Sequence, residues 1–476
     1  MKLYKLCYIL FGIIFLLILG LPVLYKNYLF IGINIIFVGI VSFLFYLFRK
    51  KINISFKDRP VYFYIIILIL LCFVVRLICT LYFNDFIQVS DYLRAYQNSI
   101  SLDFSANYYR SAVHWLLYPN ILHYVFLIFG ESQLTLSLFN TIVSCLIVTL
   151  IYLITYKISN NKKMSFFISL LYVLLPSSIL YISFASPEYI GMLLYCLCIL
   201  FFILLLQIKD NCKLYKLILL SLLTGVTLSI SNFFKGISII LLISILIIFI
   251  IDFIKKKFYL KQFLKDIISI IIISVTYIVF NALIYSVCDR ITGNNVTRNA
   301  MAAYLWVGLD SSNNGTYNER IYEKYNEYLE NYDYDFEKVN KIVYSNLKKD
   351  ITSHYSYYPK LFVNKVAIAF KNDSTIANWL YYSNGEKQKG LFEILYKISD
   401  IYYIIMLIFL FVGLYDIFKA RLKLEYLFLY IFLLGFTFVI LLGEVQGRYK
   451  FIIMPFFIIL SGYNLYEYFK KIKSIN

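Results

Sequence analysis

Apolar runs of about 20 residues recur along this chain, and they restrict its possible folds more than any other feature. A helix of that length crosses the roughly 30 Å hydrocarbon core of a bilayer. Because lipid offers no hydrogen-bond partners, each crossing segment must pair its own backbone groups, as a helix does. The runs lack the alternating pattern of a membrane β-barrel. With 61% hydrophobic and 15% charged residues, the sequence predicts an all-α polytopic membrane protein.

Twelve membrane spans are predicted, at 6–25, 28–48, 60–82, 133–156, 164–184, 187–207, 217–232, 236–254, 266–287, 395–418, 424–443 and 449–469. Alternate connections between the spans are basic, as cytoplasmic connections of membrane proteins usually are. If both termini are cytoplasmic, all of these basic segments share the cytoplasmic side with the amino terminus. They contain Arg49, Lys50, Lys51, Lys57, Arg59; Lys157, Lys162, Lys163; Lys209, Lys213, Lys216; Lys255, Lys256, Lys257, Lys261, Lys265; Lys419, Arg421, Lys423; and Lys470, Lys471, Lys473.

Two long segments, 83–132 and 288–394, then fall outside the membrane, and we call them the first and second long connections. The predicted division is a transmembrane region at 1–287 that includes the first connection, the second connection at 288–394, and C-terminal transmembrane helices at 395–476. The second connection has helix-like apolar spacing at residues 321–329. The net charge of +18 would suggest nucleic-acid binding in a soluble protein. Here the basic connections account for it, and no nucleic-acid partner is expected, although a cationic outer face would also suit anionic lipid phosphates.

The sequence contains no Walker A loop, Gly-rich dinucleotide loop, GxSxG elbow or HExxH motif. An ATP-driven pump or a hydrolase of the soluble type is therefore not supported. The informative residues are instead ionisable side chains at predicted membrane boundaries. A charge at such a position is costly and often functional.

Two carboxylates follow predicted span boundaries. Asp91, in the segment Gln88-Val89-Ser90-Asp91-Tyr92, could act as a general base towards an acceptor hydroxyl or hold a divalent metal. The alternative is that it caps a helix starting at Tyr92. Glu188 follows Pro187, and ordinary helix-start chemistry explains that pattern equally well.

Cations are found at the same predicted side of the membrane. Glu444, Arg448 and Tyr449 belong to a charged turn between the last two spans. The guanidinium fork of Arg448 suits a phosphate, although Arg and Tyr also anchor helices at the headgroup level. Lys235, between the seventh and eighth spans, either pairs with a phosphate or extends its ammonium to the interface.

Two further residues are harder to interpret. Arg76 lies inside the third span and needs a partner or a polar cavity, and an internal carboxylate is the expected structural partner. His114 is one of three histidines, and a lone histidine is more often structural than catalytic.

The candidate residues follow one another in a characteristic order. The order is Arg76, Ser90-Asp91, Tyr118-Pro119, Gly130, Asn140, Pro176, Glu188, Lys235, Glu444, Arg448, Tyr449 and Pro455, with Gly308-Leu309, Gly315-Thr316-Tyr317-Asn318 and Lys365 in the second long connection. From the third span onward, this order on a common outer side resembles the family 39 glycosyltransferases of the GT-C superfamily. That family includes the protein O-mannosyltransferases and the bacterial aminoarabinose transferases of lipid A.

The resemblance implies a GT-C-like fold and an inverting glycosyltransferase whose sugar donor is a polyprenyl phosphate. The donor phosphate would lie near Arg448, Tyr449 and Lys235, and Asp91 would deprotonate or orient the acceptor. The large outer loop would cover the site and exclude water. The further candidates for donor binding are Glu188, Glu444, Arg76, His114, Tyr118 and Lys365.

The resemblance also implies a location and leaves a cofactor question open. It places the enzyme in a bacterial plasma membrane, among membrane lipids, with its active site on the extracytoplasmic face. The acceptor would be an envelope glycolipid, a cell-wall polymer or a protein. Well-known members often carry two adjacent acidic residues where this chain has Ser90-Asp91. The need for a divalent metal (Mg or Mn) therefore stays open, with Asp91 as the only candidate ligand.

Three other functions compete with this interpretation. A polymerase or ligase of lipid-linked glycans also joins outer loops to many spans, but would show several Arg and His residues in those loops. A polyprenyl-lipid transporter would show inverted repeats and charges near mid-membrane. The sequence shows neither, and its charges gather on one predicted side. A structural membrane scaffold is the third alternative.

Overall fold

A computed structural model of the chain describes residues 3–48, 59–105, 107–208, 213–256, 260–299, 301–310, 312–384 and 389–474. Of the basic residues used to predict the topology, Arg49, Lys50, Lys51, Lys57, Lys209, Lys257 and the side chains of Lys261 and Lys473 lie outside the described residues. The protein is 84% helical, and the described residues contain no strand. The predicted all-α fold is confirmed.

Ten helices in the described part of the chain are long and apolar enough to cross a membrane. They are Tyr4–Tyr25, Val61–Tyr82, Gln133–Ser159, Glu188–Ile208, Leu214–Asn232, Ser238–Lys255, Phe263–Thr292, Gly390–Phe418, Leu424–Leu442 and Gly447–Ile472. Each matches one of the predicted spans to within a few residues. The chain is a multi-pass membrane protein, and the buried side chains of these helices form its main hydrophobic core.

The predicted fifth span is broken rather than straight. It consists of the helices Lys162–Val173 and Pro176–Ser183, which meet at an angle of 57°. Pro176 explains the break, because proline has no N–H to donate and its ring disfavours a helical residue before it. Leu175 accordingly has an extended backbone. Counting this bent pair as one crossing gives up to 11 spans.

Arg76 satisfies the backbone at this break. Its Nη1 donates to the Val173 carbonyl oxygen at 3.2 Å, and its Nη2 donates to Ser178 Oγ at 2.8 Å. No carboxylate lies within ion-pair distance of it in the described residues. The predicted carboxylate partner is therefore wrong. Carbonyl and hydroxyl oxygens left over at the end of a helix supply the acceptors instead.

The first two predicted spans are not separated by a turn. Helical backbone runs through Leu3–Phe15, a π-helical segment Leu16–Gly20 and Leu21–Phe48 without interruption. Polar residues at 26 and 27 suggested a connection, but Lys and Asn are both tolerated inside helices. The π-helical segment lies just before Pro22, where a ring without an N–H disturbs the regular hydrogen-bond ladder.

The spans arrange the connections into two separate groups. At one end, Lys423 Nζ donates to the Ile158 carbonyl oxygen at 2.7 Å, and Gln207 Nε2 donates to the Lys157 carbonyl oxygen at 2.7 Å. We call this the basic end, because three basic connections meet there. Glu188 and Lys235 lie at the opposite end of the same helices, which we call the cavity end. The predicted topology likewise places these three connections on one side and the two long connections on the other.

Both long connections fold at the cavity end. The first contains helices Ser90–Ser101, Tyr108–Ser111 and Leu117–Phe129, and the second contains Met301–Gly308, Glu319–Asn331, Phe336–Ser353, Tyr358–Phe370 and Thr375–Asn384. The backbone N–H of Thr297 donates to the Arg110 carbonyl oxygen at 2.7 Å and joins the two connections. The helix Glu319–Asn331 confirms the apolar spacing noted in the sequence. Its Tyr325 and Leu329 pack into a second, smaller core with Ala302, Ala303, Val339 and Val343.

Candidate functional site

A cavity of about 700 Å³ lies at the cavity end, between the spans and the two long connections. Seven of its lining residues were candidates from the sequence: Asp91, His114, Glu188, Lys235, Glu444, Arg448 and Tyr449. Three lining side chains are acidic and three are basic, since Arg94 completes the set. The tertiary fold therefore brings most of the predicted site residues into one concave and strongly polar space.

Asp91 faces a cation and does not cap its helix. The helix Ser90–Ser101 has Val89 at its N-cap position, without a side-chain hydrogen bond. The carboxylate of Asp91 instead lies 3.3 Å from Arg448 Nη2. Ser90 has a φ of +54°, a left-handed conformation that is uncommon outside glycine and recurs at functional sites. The capping alternative is thus not what the structure shows.

Arg448 is held on several sides. Its Nε donates to Gln446 Oε1 at 2.8 Å. The guanidinium carbon lies 5.1 Å from the ring centroid of Tyr92 and 5.0 Å from that of Trp379. Aromatic faces attract cations, and the attraction is larger where water is excluded. The guanidinium is therefore fixed in position beside Asp91.

Lys235 and Glu188 form the second ion pair of the cavity. Lys235 Nζ lies 3.6 Å from Glu188 Oε1 and 4.3 Å from the ring centroid of Tyr449. Burial lowers the pKa of Lys235 from its ordinary value, while the nearby Glu188 carboxylate opposes that shift. Glu188 also accepts a hydrogen bond from Ser186 Oγ. The backbone N–H of Glu188 donates to Ser186 Oγ at 3.3 Å. Glu188 therefore takes part both in the hydrogen bonding at the start of its helix and in the ion pair with Lys235.

The Glu444 carboxylate accepts three hydrogen bonds from within the protein. Tyr449 Oη donates to Oε1 at 2.8 Å, Gln446 Nε2 donates to the same oxygen at 2.6 Å, and Tyr322 Oη donates to Oε2 at 2.6 Å. Burial and the Glu444 charge raise the pKa of Tyr322 above its usual range. Because both of its oxygens accept hydrogen bonds, Glu444 orients Tyr449 and links it to Tyr322 in the second long connection.

His114 lines the cavity without a hydrogen-bond partner among the described side chains. Burial, followed by the positive charge of Lys235, lowers the pKa of His114 to about 4. The imidazole is therefore neutral near pH 7. In that form one ring nitrogen can donate a hydrogen bond and the other can accept one.

Three sequence candidates lie away from the cavity. Arg76 holds the broken span, and Tyr118 is fully buried in the main core. Lys365 Nζ donates to the carbonyl oxygens of Gly308, Leu441 (2.9 Å) and Gly443 (2.7 Å). All three ammonium protons are thus used at the end of the helix Leu424–Leu442. Their positions favour structural roles over contact with a donor.

The Lys365 contacts explain why glycines occur in the second long connection. A Cβ at Gly308 would lie 2.2 Å from the Gly443 carbonyl carbon, so only glycine permits this approach. Gly315 has a φ of +69° and lies against Gly308 and Lys365. The Gly315 carbonyl oxygen also accepts from the Val445 N–H at 2.8 Å. Together these contacts fix the turn that carries Glu444.

An amide network holds the segment before Glu188, and sequence reasoning did not identify most of it. Gln88 Nε2 and Gln133 Nε2 donate to the Ser183 carbonyl oxygen at 2.6 and 2.7 Å. Asn140 Nδ2 donates to the Ile182 and Phe184 carbonyl oxygens at 2.8 and 2.9 Å. Asn140 was part of the family resemblance. The sequence signal that could have identified Gln88 and Gln133 is the position of a side-chain amide at the edge of an apolar run.

Several aromatic and polar lining residues were also missed. They are Arg94, Tyr108, Trp115, Tyr304, Tyr322, Tyr325, Asn326 and Trp379, together with Tyr317, which the sequence named only within the family resemblance. The chain contains 47 tyrosines spread along its length, so the residue type by itself gave no signal. Only the tertiary fold, in which the two long connections cover the ends of the spans, shows which of these residues line the cavity.

The donor set does not fit a dedicated metal site. Asp91, the one candidate ligand, faces a guanidinium. Among the described residues, no three His, Cys, Asp or Glu side chains group as metal ligands would. Divalent Mg or Mn usually takes several oxygen ligands, and this arrangement does not supply them.

Comparisons with known proteins give a distant structural likeness. No protein-family model and no curated protein matches the sequence. Among solved structures, the chain is similar to the archaeal oligosaccharyltransferase AglB from Archaeoglobus fulgidus in complex with an inhibitory peptide and a dolichol-phosphate, with a TM-score of 0.43 and 14% identity over 80% of this chain and 50% of that chain. A second structure, the A. fulgidus oligosaccharyltransferase tethered to an acceptor peptide containing the NVT sequon, gives a TM-score of 0.42 and 15% identity over 80% and 49%. The chain spans about half the length of these proteins.

Proposed function

We propose that this protein is an inverting glycosyltransferase of the GT-C type, which moves a sugar from a polyprenyl-phosphate donor to a hydroxyl-bearing acceptor at the outer face of the membrane. The observation that carries the proposal is the cavity at one end of an apolar helix bundle, where Asp91 meets Arg448 and Lys235. A carboxylate and two cations in one polar space are the groups that such a transfer needs. The family resemblance of the sequence supports the same reaction.

Arg448 and Lys235 are the proposed binding groups for the donor phosphate. The prenyl tail would lie among the apolar spans, which end at the cavity. Each cation now faces a carboxylate, Asp91 at 3.3 Å and Glu188 at 3.6 Å. The donor phosphodiester carries one negative charge and offers two non-bridging oxygens to the guanidinium fork, so it can replace Asp91 as the partner of Arg448. Donor binding would then draw Arg448 from Asp91 and leave that carboxylate free.

Asp91 is the proposed general base. It accepts the proton of the acceptor hydroxyl while the hydroxyl oxygen bonds to the anomeric carbon of the donor sugar. Attack comes from the face opposite the phosphate, so the bond between carbon and phosphate oxygen breaks with inversion. Its electron pair stays on the leaving polyprenyl phosphate. Cations placed beforehand at such a developing charge often give the largest catalytic contribution.

The second long connection is the proposed cover of the site. Tyr304, Tyr317, Tyr322 and Asn326 come from this segment and line the cavity. A cover that excludes water favours transfer to the acceptor over hydrolysis of the donor. No step is assigned to a metal ion, because the donor set does not fit one.

The test uses the purified protein with polyprenyl phosphates carrying a labelled sugar and with a membrane extract as the source of acceptors. Wild type should release free polyprenyl phosphate and form a labelled product. Asp91→Asn keeps the side-chain size but cannot take up the proton, so its rate should fall by about 10²–10⁴-fold. Asp85→Asn is the matched control, because Asp85 is exposed and does not line the cavity.

Other outcomes point to other functions. Binding of the lipid without cleavage of any donor would favour a transporter. Cleavage only of lipid-linked oligosaccharides would favour a glycan polymerase or ligase. Full activity of a folded Asp91→Asn variant would remove Asp91 from the proposed mechanism.

A further inference from the structure

Two stacked tyrosines of the second long connection line the cavity, and the proposed transfer chemistry does not use them. The ring centroids of Tyr317 and Tyr322 lie 5.3 Å apart with an angle of 23° between the planes. Tyr322 Oη is bound to Glu444 at 2.6 Å. Tyr317 stays 54% exposed. One ring is therefore anchored, and the other presents its face to the cavity.

The pair is supported by contacts within the second long connection. The Tyr317 carbonyl oxygen accepts from Asn313 Nδ2 at 2.7 Å, which fixes its backbone. Tyr322 lies on the helix Glu319–Asn331 and packs against the smaller core, in which Tyr325 and Leu329 of the same helix are buried. Fixing a tyrosine side chain restricts only two rotatable bonds, so binding to its ring face costs little conformational entropy.

Polar groups surround the aromatic face. Asn326 lies one helical turn after Tyr322 and on the same side of the helix, and it lines the cavity. Arg94 lines it from the first long connection, with its guanidinium 4.1 Å from the ring centroid of Tyr108. Flat apolar faces are thus combined with amide and guanidinium donors in one space.

This combination matches a sugar ring better than other ligands. A pyranose presents C–H groups on its faces, which pack on an aromatic ring, and hydroxyls at its rim, which need polar partners. A prenyl chain has no polar group that could hydrogen-bond to the amide or the guanidinium. The described residues offer no strand edge to which an extended peptide could add.

We propose that Tyr317, Tyr322 and Asn326 form a binding subsite for a sugar ring of the acceptor. The acceptor is then a glycan, either on a lipid or in a cell-wall polymer, rather than a protein. This inference rests on the proposed transferase function and narrows it. Tyr322 would also link acceptor and donor binding, since Glu444 bonds both Tyr322 and Tyr449.

The first experiment follows the labelled sugar from the donor into the glycan and protein fractions of the membrane extract. The label should enter glycan or glycolipid. Tyr317→Ala should raise the apparent KM for that acceptor about tenfold, as expected for loss of one stacking face, with kcat unchanged. Tyr317→Phe keeps the ring face and should rescue most of the KM effect of Tyr317→Ala. Tyr355→Ala is the matched control, because Tyr355 is 76% exposed in the same connection and does not line the cavity.

A second experiment needs no turnover. Saturation-transfer NMR with tetrasaccharides of N-acetylglucosamine, glucose and galactose should show binding to wild type and to Tyr355→Ala, and loss of that binding in Tyr317→Ala. Label entering only protein, or an unchanged KM in Tyr317→Ala, overturns the acceptor assignment while leaving the transferase intact. Failure of wild type to release polyprenyl phosphate from any donor overturns the proposed function, and the acceptor assignment with it.

Discussion

At the scale of single residues, Arg448 joins more parts of the cavity than any neighbouring group. It meets Asp91 from the first long connection, Trp379 from the second, and Gln446 within its own turn. A guanidinium has five N–H donors in a planar fork, whereas a lysine ammonium is a point charge. The geometry of this position therefore depends on arginine and not only on a positive charge.

Replacing Arg448 by Lys should separate the contribution of the guanidinium geometry from that of the positive charge. We expect Arg448→Lys to lower kcat/KM for the polyprenyl-phosphate donor by about a hundredfold, because a preplaced donor to the leaving phosphate is lost. The measurement is the release of polyprenyl phosphate as a function of donor concentration. Arg421→Lys, an exposed position near the basic end, should leave the rate unchanged. Equal rates in wild type and Arg448→Lys would argue against phosphate binding at this position.

His114 predicts a pH dependence of stability. Its pKa is lowered from 6.5 to about 4 in the folded protein, so between these values the unfolded chain binds a proton that the folded chain does not. The free energy of unfolding therefore falls as the pH drops from about 6.5 towards 4. The contribution is fully present above pH 6.5. The Tm of His114→Gln should fall less than that of wild type between pH 7.5 and pH 4.5.

His354→Gln is the control for this pH effect. His354 is exposed, lies 3.0 Å from Asp350 and does not line the cavity. This variant should keep the wild-type fall in Tm. The same fall in His114→Gln would show that His114 is not the group responsible.

At the scale of elements, the end of the helix Leu424–Leu442 is the clearest example of local support for the cavity. The last carbonyls of a helix have no partner within it. Lys365 supplies donors to Leu441 and Gly443, and Gly308 allows the second long connection to approach. The turn with Glu444 and Arg448 follows directly. Its position thus depends on a helix more than 70 residues earlier in the chain.

Lys365→Met tests this support. Methionine retains the length of the side chain but leaves buried carbonyl oxygens without donors, at a cost on the order of 2–3 kcal/mol in the free energy of unfolding. We expect a lower Tm and a loss of transfer activity, because the Glu444 turn is no longer held. Lys360→Met, on an exposed face of the same helix, should change neither. An unaltered Tm in Lys365→Met would contradict the role given to these hydrogen bonds.

At the scale of the whole molecule, three basic connections and the cavity lie at opposite ends of the spans. Positive connections remain cytoplasmic during membrane insertion. The cavity end should therefore face outwards. Cysteine labelling with an impermeant maleimide tests this, because Tyr355→Cys should react in intact cells and Arg421→Cys only after permeabilisation. The background is set by wild type, whose described cysteines are buried or half-buried. The reverse pattern would invert the predicted topology.

The bundle could be predicted from the sequence because its causes are local. A run of about 20 apolar residues has to be helical in lipid, whatever surrounds it. Ten of the twelve predicted spans therefore agree with helices long and apolar enough to cross a membrane, the fifth is a bent pair, and the span predicted at 28–48 continues the first helix. Three of the basic connections lie together at one end, as predicted. The exceptions are two places where the effect of polar residues or of a proline on a helix was predicted wrongly. Lys26 and Asn27 do not interrupt their helix, and Pro176 breaks a span that was predicted to be continuous.

The site could be predicted only in part. Asp91, Glu188, Lys235 and Arg448 stood out as charges at span boundaries, and the structure brings them together. Arg76 and Lys365 gave the same signal, yet the structure uses them to satisfy backbone carbonyls. A charge beside an apolar run reveals that a partner is needed, but not whether that partner is protein or ligand.

By itself, the sequence determined that this protein is a helical bundle in a membrane, and its charge pattern predicted that the basic connections share one side. Helix formation depends on neighbours four residues apart and on the surrounding lipid. Only the tertiary structure decided which charges share the cavity, since Asp91 and Arg448 are 357 residues apart. Such a contact depends on how distant segments pack, and in particular on how the two long connections fold over the ends of the spans.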